Sequence, residues 1–293
     1  MNKTFNYEEK FMGVFAGKRT NYKRTFQDDY RLKSMSGALK LKKGKLLDIG
    51  CGGGIITESL PYYYRGVKVF GCDVSKTAIA YAKKFGSGKA TYDVLNGKKF
   101  PYKDSTFDAC ICLDVMEHVP DVDFFLKEVR RILKRNGKFF LLVPCENQPL
   151  TYTWLFQRIG FGKRLTYKHW GHIHPEFTHA SVLSMLQKYG FHVKRRNYSE
   201  HWLYQLSNIF LYFLPKEFLE RVVGKHQAQK YSDQGIVKTQ VVEKKSRDLL
   251  LVARNVWMRI TGLVGRVRGW EIEMGKHIGF GAWKIHIYAT NKK

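Results

Sequence analysis

Leu46-Leu47-Asp48-Ile49-Gly50-Cys51-Gly52-Gly53-Gly54 is the stretch on which the fold turns. An apolar run ends in an acid and then a glycine cluster, and a helical pattern follows through Leu60. Glycines at such a turn let the backbone approach a ligand closely, and the helix they open favours negative charge at its N-terminus. A glycine-rich loop alone is a weak signal, because any tight strand-to-helix turn looks similar. The spacing is also not G-x-G-x-x-G, since Ile55 and Ile56 take the later places.

On the C-terminal side the chain alternates. Val67–Asp73 reads as a second strand. A helix with Ala78, Ile79, Ala82 and Phe85 on one face follows over Lys76–Phe85. Ala90–Val94 and the nearly all-apolar Phe107–Leu113 read as a third and a fourth strand. Asp121 is placed to cap a helix with the stripe Val122, Phe125, Leu126, Val129 and Leu133, which Asn136-Gly137 is expected to end. Lys138–Pro144 is a fifth strand, Thr178–Tyr189 a helix stopped by Gly190, Phe191–Tyr198 a sixth strand, and Ala282–Ala289 an alternating strand of antiparallel type. Strands alternating with helices predict a parallel α/β sheet. Asp73, about twenty residues past the glycine turn, ends the second strand where a carboxylate can accept from ribose hydroxyls.

Composition narrows the classes. The chain has 293 residues, 44% hydrophobic and 15% aromatic, which suits a folded protein. Its net charge of +26 points to an anionic partner, against the plainer reading of a solubility surface. Cys51, Cys72, Cys110, Cys112 and Cys145 make no CxxC pair, so neither a zinc site nor a disulfide framework is expected, and a reducing, cytoplasmic location is. The N-terminal MNKTFNYEEK lacks the apolar core of a signal peptide, and no stretch is long and apolar enough to span a membrane. There is no internal repeat.

Four segments in order, LLDIGCGGG, VFGCDVS, YDVLN and FPYKDSTFDACICLDVMEHV, resemble the successive motifs of class I methyltransferases. The resemblance is nearest to the group containing the ubiquinone and menaquinone biosynthesis methyltransferases. It covers residues 45 to 145 tightly and 170 to 199 loosely, around HWGHIHPEFTHASVLSMLQKYGFHV. It implies a seven-stranded Rossmann-like sheet of order 3-2-1-4-5-7-6 and the cofactor S-adenosylmethionine. It also implies roles. Asp48 would orient the loop and face the methionine amine, and Gly50, Cys51 and Gly52 would lie against the cofactor. Asp73, with Val74 beside it, would hold the ribose. Asp93 and the Val94 backbone would meet the adenine. Leu113 and Asp114 would line the methionine side.

The chemistry end stays open. Asp114-Val115-Met116-Glu117-His118 puts two carboxylates and an imidazole at a strand's C-terminal end, where such sheets bind ligands. Three readings stand: packing beneath the cofactor, His118 as a general base, or a magnesium-type cation site. No metal ligand is assigned. His169, His172, His174 and His179 fall in the segment expected to cover the site, and His172 and His174 are the candidates for substrate-side roles, against surface or capping ones. The expected catalytic set is therefore His118, His172 and His174.

The expected organisation is a basic helical cap over 1–44, a catalytic domain over 45–199 and 281–293 with 145–177 as cover, and an amphipathic helical insertion over 200–280. Within that insertion HWLYQLSNIFLYFL and LLLVARNVWMRITGLVGRVRGW mix aromatic, aliphatic and arginine residues. That mixture suits a helix lying in an anionic membrane interface, or else helices packed on the domain. The expected activity is methyl transfer to a small hydrophobic or lipid-linked acceptor, with O-methylation favoured and peripheral membrane association. The rival is an RNA methyltransferase using the basic surface.

Overall fold

The computed structural model describes residues 29–96, 99–160, 171–208, 270–271 and 273–293. Most of the expected cap and insertion therefore lies outside the described residues, as does His169.

The chain enters through helix α1 (Tyr30–Leu39), capped by Asp29, whose carboxylate accepts from the Arg31 amide at 2.9 Å. It alternates through β1 (Gly44–Ile49), α2 (Ile55–Tyr63), β2 (Val67–Asp73), α3 (Lys76–Phe85), β3 (Ala90–Val94), β4 (Phe107–Leu113), a short 3-10 turn (Met116–His118), α4 (Val122–Ile132) and β5 (Leu133–Pro144). Then come α5 (Tyr152–Arg158), α6 (His179–Lys188), β6 (Phe191–Ser199), α7 (Trp202–Asn208) and β7 (Lys284–Asn291). The seven strands form one sheet of order β3-β2-β1-β4-β5-β7-β6. β1 to β5 run parallel, and β7 is antiparallel to both β5 and β6. This is the order that the resemblance implies.

The alternation of side chains along each strand divides the core between two faces. Cys110, Cys112, Phe139, Leu141, Ile285 and Ile287 face Phe125, Leu126 and Val129 of α4 and Val182 and Leu186 of α6. Leu46, Val69, Ile111, Phe140 and Leu142 face the other way, against Leu32, Met35 and Leu39 of α1 and Leu60 of α2. All five cysteines are free, and four are buried as small apolar groups.

Boundaries differ from expectation around α4 and β5 and at β7, which spans Lys284–Asn291. α4 stops at Ile132, not at Asn136-Gly137, because Leu133 already pairs with Phe107 of β4. Asn136, at φ +59, and Gly137 instead carry the irregularity through which β5 enters the sheet. The last strand starts at Lys284, so Ala282 and Trp283 belong to the connection before it.

Candidate active site

The turn after β1 sits where parallel sheets bind ligands, at the carboxyl ends of the strands. Gly50 (φ +75) and Gly52 (φ +51) take left-handed conformations, for different reasons. A Cβ on Gly50 would lie 2.3 Å from Val115 Cγ2, so this glycine makes room for the turn after β4. A Cβ on Gly52 would meet nothing within 4 Å among the described residues, so Gly52 presents its backbone to a space these residues leave open. The loop is pinned from behind. The amides of Gly50 and Cys51 both donate to the Cys72 carbonyl, at 2.7 and 3.0 Å. Asp73 accepts from the Gly52 amide through Oδ2 (2.8 Å) and from Ser75 through Oδ1 (2.9 Å), and Val74 beside it is exposed. Asp48 is buried and accepts from Thr57 Oγ1 at 2.7 Å. Burial pushes its carboxyl up to about 7, against the opposing pull of Thr57 and Arg31. Asp93 accepts from the Tyr102 hydroxyl at 3.0 Å, with the half-buried Val94 next to it at the end of β3.

Leu113 ends β4, and Asp114 follows with φ +54. Asp114 is not open to a ligand on all sides: Lys284 Nζ lies 2.9 Å from Oδ1, and an Arg31 guanidinium nitrogen 3.4 Å from Oδ2. Burial works to raise this carboxyl, but the two cations override it and hold it below the usual range. Lys284 also pairs with Glu200 at 3.1 Å, and Glu200 accepts from the Tyr30 hydroxyl at 2.7 Å. Arg31 projects from the first turn of α1 and is also paired to Asp29. Arg31, Lys284 and Glu200 were invisible in the sequence, because nothing local marks a pairing across 83 or more residues.

Beside Asp114 the 3-10 turn presents Glu117 and His118, and the segment carrying His172 is strapped onto it. Ile173 N–H donates to the Glu117 carbonyl (3.0 Å), and His118 Nδ1–H to the Gly171 carbonyl (3.1 Å). The rings of His118 and His172 lie 5.1 Å apart. Their Nε2 atoms lie 3.7 and 3.9 Å from the same Glu117 oxygen. Both Glu117 oxygens are buried with no hydrogen-bond partner among the described residues. Burial, and then Asp114, push this carboxyl well above the usual range. His172 Nδ1 in turn bonds Glu146. Two imidazoles and an orphaned carboxylate whose ligand atoms lie within 4.8 Å of one another fit a divalent cation.

The structure does not bring His174 into this group. Its Nε2 donates to the Val119 carbonyl at 2.8 Å and its Nδ1 pairs with Glu176 at 2.9 Å, so both nitrogens are spent holding the strap. His179 is the first residue of α6 and lies against Tyr198, with burial pushing it down to about 4.

Beside the site, Leu150, Tyr152, Trp154, Leu155, Trp202 and Leu206 line an apolar groove of about 270 Å³. The Tyr152 ring lies 5.7 Å from that of Trp283, which lies 6.2 Å from that of His172. An aromatic wall thus runs from groove to imidazole.

Comparison with known proteins gives this geometry a family. Residues 47–141 match a methyltransferase domain. The ubiquinone biosynthesis O-methyltransferase of Pelagibacter ubique is 40% identical over 116 residues, 39% of this chain and 46% of that protein. Its namesake from Pseudomonas aeruginosa is 36% identical over 120 residues, 40% of this chain and 50% of that protein. The chain thus spans about half the length of the curated relatives it matches. Among solved structures, Haemonchus contortus phosphoethanolamine N-methyltransferase 2 with S-adenosylmethionine superimposes with a TM-score of 0.53 at 17% identity, over 90% of this chain and 52% of that one. The YcgJ protein of Bacillus subtilis gives 0.53 at 15% identity, over 90% and 99%. Both share the fold. Residues 47–141 thus match a methyltransferase domain, on a fold shared with a methyltransferase solved with S-adenosylmethionine.

Proposed function

We propose that the protein moves the methyl group of S-adenosylmethionine to a hydroxyl oxygen of a hydrophobic, lipid-like acceptor at an anionic membrane surface. The observation that carries this reading is the cluster of His172, His118 and Glu117 at the inner end of an aromatic wall that begins in an apolar groove. Gly52 and Cys51 offer backbone to the cofactor, and Asp73, which holds the loop through Gly52 and Ser75, is the carboxylate on the ribose side. Asp93 and Val94 stand at the adenine side, Leu113 and Asp114 at the methionine side. Arg31 is the cation placed to meet the methionine carboxylate, with Asp48 holding the loop.

Methyl transfer asks for alignment, dryness and one proton acceptor. The acceptor oxygen attacks the methyl carbon as the carbon–sulfur bond breaks, and the sulfonium leaves as the neutral thioether. His172 Nε2 takes the hydroxyl proton, with His118 beside it. The cluster serves one role at a time: a divalent cation held by Glu117, His118 and His172 would occupy the Nε2 lone pairs and would supply Lewis acidity to the hydroxyl in place of the imidazole base. His174 keeps the strap in place.

The basic residues outside the described part, in 1–28 and 209–269, belong in this reading to a cap and an insertion that meet the membrane. No helix among the described residues is long and apolar enough to cross one. The net charge favours a second reading, an RNA acceptor. Tritiated-methyl transfer to a lipid extract and to total RNA separates them. Label in the lipid fraction is expected; label in RNA alone overturns the lipid reading.

A further inference from the structure

We infer that Glu146 is a positioning residue: it fixes the tautomer and ring orientation of His172 so that Nε2, not Nδ1, faces the acceptor. The inference rests on the role given above to His172, and deepens it.

Glu146 stands two residues past the end of β5, on the ligand side of the sheet, and is completely buried. A carboxylate there loses its hydration, which costs several kcal/mol unless a partner compensates. Its Oε1 bonds His172 Nδ1, while Oε2 has no hydrogen-bond partner among the described residues. The imidazole is thus the compensating group. With the carboxylate as acceptor, Nδ1 carries the hydrogen and Nε2 is the nitrogen that faces Glu117 and His118.

The backbone around Glu146 is held as a positioning residue requires. Cys145 N–H donates to the Trp283 carbonyl (2.7 Å) and Asn147 N–H to the Phe177 carbonyl (2.9 Å). The Gln157 side-chain amide donates both to the Glu146 carbonyl (3.2 Å) and to the Pro175 carbonyl (3.1 Å). One amide therefore ties the strand end bearing Glu146 to the strap bearing His172, and fixes their spacing. His118 shows the contrast. Its Nδ1–H is held by the neutral Gly171 carbonyl. Both imidazoles thus present Nε2 inward, but only His172 is held there by a side-chain carboxyl group.

The test is the tautomer itself. The protein is labelled with ¹⁵N-histidine, and His172 is assigned by its loss in His172→Asn. Long-range proton–nitrogen correlation at one pH is expected to show Nδ1 protonated and Nε2 bare. In Glu146→Gln the charge-assisted bond becomes a neutral one, and the tautomer ratio is expected to move about tenfold toward Nε2–H. Affinity for S-adenosylhomocysteine should stay within about twofold of the wild type, since the cofactor loop is a separate unit. A wild-type His172 protonated on Nε2 overturns the inference, whatever the variant does. So does an unchanged ratio in Glu146→Gln, or a changed one accompanied by loss of S-adenosylhomocysteine binding, which would make Glu146 a prop for the whole site. If the wild type binds no S-adenosylhomocysteine at all, the proposed function fails and the tautomer result is read independently.

Discussion

Gly50 and Gly52 are two residues apart, both left-handed, and should fail differently when given a methyl group. In Gly52→Ala the new Cβ meets nothing within 4 Å, so the folded apoprotein bears only the left-handed penalty of about 1–2 kcal/mol. At about 2–4 °C per kcal/mol for a chain of this size, the melting temperature falls by about 2–8 °C. The methyl does, however, enter the space assigned to the cofactor. Overpacking there costs about 1–3 kcal/mol, so S-adenosylhomocysteine should bind about 5- to 150-fold more weakly. In Gly50→Ala the Cβ lies 2.3 Å from Val115 Cγ2, and strain and overlap together cost about 2–5 kcal/mol of stability. Val115→Ala should recover part of that loss in the double variant, as residues in contact are non-additive. Isothermal titration and thermal unfolding of the four variants measure both quantities. Unchanged affinity in Gly52→Ala, or a Gly50→Ala protein as stable as Gly52→Ala, would refute the assignment of one glycine to the ligand and the other to packing.

Other perturbations follow from the same geometry. Lys284→Met removes the cation that Asp114 and Glu200 share and leaves Asp114 only the longer Arg31 contact, which should cost about 3–5 kcal/mol in urea unfolding. Adding Asp114→Asn should restore part of it, and an undiminished loss would show that the pair does not matter. Glu271 accepts from the amides of Leu203 and Tyr204 (2.7 and 2.8 Å), capping α7 from across the insertion. Glu271→Ala should therefore cost about 1–2 kcal/mol and speed hydrogen exchange at those two amides, and unchanged exchange would exclude the cap. Burial pushes His286 down to about 3 and His179 to about 4, both below an unfolded value near 6.5. On acidification the unfolded chain takes protons first, so this stability is complete above about pH 6.5 and is lost as pH falls toward 4 and then 3. The melting temperature should fall between pH 7.5 and 5.5, and less steeply in His286→Gln; equal slopes would remove His286 as a cause.

The fold was legible where local chemistry carries it. The apolar runs of β1 and β4, the Asp121 cap and the Gly190 stop are short-range signals, and those features stand where they were expected. Asn136-Gly137 misled, because a left-handed Asn suits a strand irregularity as well as a helix end, and only the pairing of Leu133 with Phe107 decides between them. β7 was misplaced by two residues because the apolar Ala282 and Trp283, buried in the preceding connection, continue its alternation. Within the site, His118 and His172 could be named because histidine between strand ends is conspicuous. Glu146 could not, although an acid just past an apolar strand on the ligand side of a parallel sheet was the available signal. Arg31 and Lys284 gave none, because their meaning lies in partners 83 and 170 residues away.

The central claim is that the loop from Gly50 to Gly52, closed by Asp73, is an S-adenosylmethionine site. Isothermal titration of S-adenosylhomocysteine into the wild-type protein and into Asp73→Ala tests it most directly. The expected result is one site per chain in the wild type and no measurable binding in the variant. No binding to the wild type, or equal affinity in both, would contradict it.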